Sequence, residues 1–379
     1  MRRAAATVAA LLAASACAKI IGADFDNVSP RPTQDSGTGD AEVCVSAEPI
    51  GPPEVADDPG TTTFTGVTRT VDFGEGTTGG VPDYLSVGFD LDRTCTGHPD
   101  PAVCQPAPWT EGDATDGIHG EDNGVGRMLS RQKDVFGTDV VSGPIVTKAI
   151  GAGTFAPVGL FEVSDWNGFS EDLKVTVKWV VALATTKAPG GKPPKLDGTD
   201  AWPVASELSV TGSGSDTAPA TYTSTSAYVN ESKLVAHFDH VLYAFANVYM
   251  DVYDVEMQAD VVFDAASGTR KLENGLMSGW ATADSLILLI PQMTSDLLGV
   301  PLCTNSSTYA ATKQFICRGA DYASKSYVAG EPCDGTTFGM RFDTTPVTIG
   351  AVVPLPEVTA KCPAEYDPAK DTCTKAEQL

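Results

Sequence analysis

The feature that most restricts the fold is a series of short segments rich in β-branched and aromatic residues, each closed off by Gly, Pro, Asn or Asp. Such segments favour a pleated sheet, and the residues between them favour turns. They begin near Phe64 and recur as Thr65–Phe73, Tyr84–Leu91, Val140–Ile150, Gly159–Val163, Leu173–Ala184, Ala227–Phe238, Val241–Met250 and Val252–Phe263. Leu173–Ala184 reads LKVTVKWVVALA. Strict alternation gives way to a wholly apolar run, as in a strand entering a core. In the last segment Val252, Asp254, Glu256 and Gln258 alternate with Tyr253, Val255, Met257 and Ala259, which puts polar side chains on one face. No strand–helix rhythm suggests a parallel sheet. The expected fold is mainly β: an antiparallel β-sandwich, jelly-roll-like, with one or two short helices and long loops. The expected helices are Ala283–Leu298, capped at Asp284 and kinked or ended by Pro291, and Thr308–Arg318 behind caps at Ser306 and Ser307. Thr185–Pro203 and Thr211–Ser226 are expected loops.

The N-terminus carries a different signal. Arg2 and Arg3 precede an apolar run from Ala4 to Ala14, and Ala14-Ser15-Ala16 supplies small residues before Cys17. This order is that of a secretory signal peptide over residues 1–16. The run is too short to span a bilayer, which needs roughly 20 apolar residues. Ala-Ser-Ala-Cys resembles the lipobox of bacterial lipoproteins, which implies acylation of Cys17 and a lipid anchor in the membrane. Ala18, where an Asp would imply inner-membrane retention, implies the outer membrane, on its periplasmic or surface face. Residues 17–63 are rich in Pro, Gly, Ser, Thr and Asp and read as a flexible stalk. The β-rich body is expected over 64–361 and a disulfide-pinned tail over 362–379.

The cysteine count agrees with export. There are nine, an odd number for an oxidising compartment. Setting Cys17 aside leaves Cys44, Cys95, Cys104, Cys303, Cys317, Cys333, Cys362 and Cys373, enough for four disulfides. Nearness in sequence suggests Cys95 with Cys104 and Cys362 with Cys373. No C-x-x-C pair suggests a zinc site.

The formal charge is −24, and removing Arg2 and Arg3 leaves 23 basic against 49 acidic side chains. Nucleic acid is therefore excluded as a partner, since its binding needs a basic surface. Divalent cations are attracted instead. The most acidic loop lies between Gly88 and Gly126, where GFDLDRTCTGHPDPAVC leads to DGIHGEDNGVG. Calcium takes six to eight oxygens, best supplied by Asp, Asn and carbonyls in a tight loop. Asp90, Asp92, Asp116, Glu121, Asp122 and Asn123 are the candidate calcium ligands, although the spacing is not that of an EF-hand. No cofactor other than calcium is suggested. The competing reading is a turn whose Asp and Asn side chains cap their own backbone.

The pattern FDLD…C…C…DG…DNG, with Asp165-Trp166-Asn167-Gly168 and a late Cys333-Asp334-Gly335, resembles uncharacterised exported lipoproteins of myxobacteria and their relatives. The resemblance spans roughly residues 84–362. That group has no assigned activity, so the resemblance implies location and fold style rather than chemistry.

No G-x-S-x-G, H-E-x-x-H or phosphate-loop pattern is present. His237 and His240 are three apart, on opposite faces of any continuous strand. Trp109, Trp166 and Trp202 lie in or near loops and are candidate ligand-stacking residues, whereas Trp179 sits in an apolar strand and belongs to the core. The expected role is a non-enzymatic binding or surface-display module for a glycan or protein ligand. The alternative is an exported glycoside hydrolase working through paired carboxylates.

Overall fold

The computed structural model describes residues 45–56, 58, 60–93, 104, 116–245, 248–298, 300–324, 331–357 and 361–378. Cys17, Cys44, Cys95 and Trp109 lie outside the described residues.

The expected antiparallel, mainly β architecture is present. Eight strands form the main sheet: β1 (Thr62–Asp72), β4 (Leu160–Trp166), β5 (Asp172–Val180), β7 (Thr221–Asn230), β8 (Lys233–Phe245), β9 (Val248–Asp264), β10 (Thr269–Thr282) and β11 (Gly335–Pro346). Two short strands, β2 (Thr77–Thr78) and β3 (Val81–Pro82), make a hairpin, and β6 (Ala201–Ala205) pairs in parallel with β12 (Thr348–Val353). The main sheet runs β1-β11-β10-β9-β8-β7-β5-β4, and β4 pairs back to β1. The two walls that a sandwich keeps as separate sheets are thus joined into a closed barrel. Each strand lies beside its sequence neighbour, a meander rather than the crossing connections of a jelly roll.

Eight strands enclose a space that side chains can fill. Trp179 occupies its middle, with Phe161 at 5.2 Å and Phe238 and Tyr243 each at 6.1 Å between ring centroids. Phe161 meets Phe342, and Tyr243 meets Phe338, so β4 and β8 are both tied to β11 through the core.

Six helices decorate the barrel: α1 (Gly124–Phe136), α2 (Gly143–Gly151), α3 (Glu207–Thr211), α4 (Ala283–Leu298), α5 (Ser307–Arg318) and α6 (Lys375–Gln378). The expected α4 and α5 are present. Ser306 caps α5 by accepting from the Thr308 and Tyr309 amides. At α4 the hydroxyl of Thr282 accepts from Ser285 N, and Asp284 instead accepts from Cys373 N. The helix continues through Pro291.

Several expectations fail for local reasons. Val140–Ile150 is helical, because Ser142 caps Ile145 N and Pro144 sits in the first turn. Tyr84–Leu91 is a 3₁₀ turn at Asp83–Ser86 followed by bends. The second half of the Thr211–Ser226 loop is strand β7, held by β5, with Trp179 opposite Tyr222. β10 and β11, on either side of α4 and α5, are strands that the sequence reading did not single out.

Among the described residues three disulfides are formed: Cys104–Cys333, Cys303–Cys362 and Cys317–Cys373. The local pairs suggested by sequence, Cys95 with Cys104 and Cys362 with Cys373, are therefore incorrect. The tail runs back beside α4 and α5, so Cys362 and Cys373 each meet a partner on the body before they could meet each other. From Ser46 to Gly51 the chain lies on the body. Ala47 N donates to His119 O, Ile50 N to Gln258 Oε1, and Asn230 Nδ2 to Gly51 O.

Candidate functional site

Two neighbouring features share α1. The first is the acidic loop at its N-terminus. One carboxylate oxygen from each of Asp90, Asp92 and Asp122 lies within 4.8 Å of the others. An ion 2.3–2.6 Å from each oxygen would hold them at most roughly 5 Å apart, so the spacing suits calcium. Asp122 is 3% exposed, and its Oδ2 accepts from the amides of Leu91 and Asp92. Burial, then the charges of Asp92, Asp116 and Asp321, pushes its carboxyl well above the usual range. Gly120 makes the approach feasible: its φ is +76°, and a Cβ there would come within 2.8 Å of the Asp90 carboxyl carbon.

The remaining candidate ligands serve the loop itself. Asp116 forms an isolated backbone bridge with Asp122 and adds its charge nearby. Glu121 folds back to accept from His119 N. Asn123 caps α1: its Oδ1 accepts from Gly126 N and Gly339 N, and its Nδ2 donates to Phe73 O. Both ends of that amide are occupied, so Asn123 positions the helix. Asp321, partly buried behind this corner, accepts from the amide and hydroxyl of Thr337. Burial raises its carboxyl, and the positive charge of the buried Arg127 opposes the rise.

The second feature is a cavity of about 800 Å³ at the barrel end where β8 turns into β9 and β10 enters α4. The walls are apolar. α1 contributes Val125, Met128, Leu129 and Phe136; α4 contributes Leu286, Leu289 and Met293; Phe315 and Ile316 come from α5, and Phe245 and Met250 from the sheet. The exposed Gly137, Thr138 and Asp139 mark its opening. Polar side chains deeper in the wall are already engaged. Gln132 accepts from the amides of Val140 and Val141 and donates to Val141 O. Thr294 donates to Ile290 O and accepts from Leu302 N, Thr312 donates to Thr308 O, and the Tyr243 hydroxyl donates to Met340 Sδ. Periodicity in GVGRMLSRQKDVF could have revealed this wall, since Val125, Met128, Leu129, Gln132 and Phe136 recur at helical spacing.

The two candidate stacking tryptophans among the described residues, Trp166 and Trp202, are not at the surface. Trp166 is 3% exposed with its indole N–H on Phe169 O, and Trp202 is fully buried with its N–H on Leu183 O. Both are core anchors under their loops. Sequence reasoning passed over Trp280. It stacks between Tyr253 at 4.9 Å and Tyr322 at 5.2 Å, and Tyr253 meets His240, which meets Tyr222. His240, Tyr253 and Trp280 are direct cross-strand partners on β8, β9 and β10, so the row follows from register. Asp254, at φ +48°, interrupts the alternation of β9 and accepts from Trp280 Nε1. On β8, His237 is exposed and His240 partly exposed, although they stand three apart in one strand. Each histidine pairs with its own acid, Asp239 and Asp251.

No family model, curated protein or solved structure matches the chain. Among the described residues, no helix is long and apolar enough to cross a membrane.

Proposed function

We propose that the protein is a lipid-anchored binding protein of the bacterial cell envelope, and that the apolar cavity under α1, α4 and α5 holds its ligand. The observation that carries this reading is the cavity: its volume falls within the roughly 300–1,000 Å³ common to small-molecule sites. Its engaged polar groups favour binding over chemistry, because no side chain deep in the wall is available to attack or to move a proton. The signal segment and Cys17 support the envelope location and anchor.

Two experiments test the parts separately. Titration of the full mature chain with N-phenylnaphthylamine should give saturable, one-site fluorescence, weakened in Met293→Trp, which narrows the cavity. Linear uptake without saturation would sink the cavity reading. Cys17→Ser should release the protein from membranes, and continued retention would remove the anchor.

A second reading, recognition of a glycan on the outer sheet, is favoured by the half-buried Tyr222–His240–Tyr253–Trp280–Tyr322 row beside Asp251, Asp254 and Glu256. Binding on a glycan array that survives Trp280→Ala would remove it.

A further inference from the structure

We infer that the ligand of this cavity is an uncharged lipid whose hydrocarbon chain fills the space. The inference rests on the reading of the cavity as a binding site and names what enters it. The first argument is hydrogen-bonding capacity. A buried polar group without a partner costs about 1–3 kcal/mol. Gln132, Thr294, Thr312 and Tyr243 each already hold a partner within the protein, so a hydroxyl, amide or carboxylate carried inward would find few openings in an otherwise apolar wall. What is buried is therefore mostly hydrocarbon.

The wall chemistry narrows the shape. Met128, Met250 and Met293 are unbranched and adaptable, and they share the lining with Phe136, Phe245 and Phe315. Walls of this kind accommodate a flexible chain, whereas a rigid polycycle needs fixed complementary surfaces.

Charge at the opening decides the head group. Asp139 is the charged residue of the lining. Lys133, 2.8 Å away, is already its partner, so an anionic head at the opening meets a carboxylate and no spare cation there. The acidic excess of the whole chain acts in the same direction.

Displacement of N-phenylnaphthylamine from the full mature chain by 1-hexadecanol, palmitate and cholesterol separates the outcomes. Hexadecanol should displace the probe at a one-to-one stoichiometry. Palmitate should be about tenfold weaker, the effect of one charge repulsion in a wet opening. Cholesterol should be weaker than either. Met293→Trp and Leu289→Trp, each checked for an unchanged melt, should abolish displacement, and Leu288→Trp on the exposed face of α4 should not. Probe binding with palmitate or cholesterol equal to or better than hexadecanol would overturn the ligand class and leave the cavity reading standing. Absence of probe binding in the folded protein would remove both.

Discussion

Cys104 and Cys333 are bonded across a sequence separation of 229 residues, joining the Gly88–Gly126 loop to the entry of β11. Both sulfurs are buried beside Ala283 and Ala320. A bridge closing so long a loop restrains the unfolded chain strongly, and its loss should cost about 2–5 kcal/mol. Cys104→Ala with Cys333→Ala should lower the unfolding free energy from urea melts by that amount, and the midpoint with it, without changing the β-type circular dichroism. An unchanged midpoint would mean that the bridge does not constrain folding.

The bridges at Cys104, Cys303 and Cys317, together with the proposed acylation of Cys17, leave Cys44 and Cys95 as the expected partners of each other. Ser46 Oγ donates to Asp90 at 2.6 Å, and Arg93 is paired with Glu48, so residues close to both cysteines are already held together. Non-reducing peptide mapping of the mature chain should recover a Cys44–Cys95 cross-link. Free thiols at these positions, or either one linked elsewhere, would refute the pairing.

Lys313, 8% exposed at its side chain, lies 2.7 Å from Asp371 and 3.2 Å from Glu377. Burial alone would raise Asp371, but hydrogen bonds from Lys313 and Tyr309 outweigh it and hold the carboxyl below the usual range. At Glu377 the upward push of burial is likewise outweighed, by hydrogen bonds from Thr374 and Lys313. Depressed carboxylates stabilise the fold above their unfolded values of about 3.9 and 4.3, and the gain is lost as pH falls through the folded values. Lys313 behaves in the opposite sense. Burial lowers it, its two acids raise it further, and the gain present below about 10.4 is lost as pH rises through the folded value. Urea melts from pH 3 to 11 should therefore show this contribution as a plateau between those limits. Lys313→Met should cost about 2 kcal/mol on the plateau and shrink both flanks. Equal losses at every pH would assign Lys313 a packing role instead.

How far the sequence could be read depended on whether a signal was local. β5, most of β8 and β9, α4 and α5 follow from period and caps within their own segments, and the antiparallel β class follows from them. Barrel closure does not, because β1 pairs with both β4 and β11, and those contacts join residues as far apart as Gly66 and Pro346. Val140–Ile150 misled because β-branched composition outweighed a Ser-Gly-Pro start, and the start decided. At the site, Asp90, Asp92 and Asp122 were legible as an acidic loop. The apolar cavity was not, since its walls come from three helices and a hairpin that tertiary packing alone brings together.

The Asp122 carboxyl is the group at which the acidic loop can be tested most directly. Burial and three neighbouring carboxylates raise it, so its ionised form opposes folding. Without a cation, stability contributed at this position falls as pH rises above the unfolded value of about 3.9. A bound cation reverses the effect by favouring the ionised form. Calcium at 100 times its dissociation constant should add about 2.7 kcal/mol, a melting shift of roughly 5 °C for a chain of this size. Asp122→Asn keeps an acceptor for Leu91 N while removing the repulsion. It should melt higher than the wild type in chelator at pH 7.5, match it near pH 4, and show no calcium shift. A wild type indifferent to calcium, with Asp122→Asn still stabilised, would make the loop a self-capped acidic turn. A destabilised Asp122→Asn would instead mean that the two amide contacts need the full charge of the carboxylate.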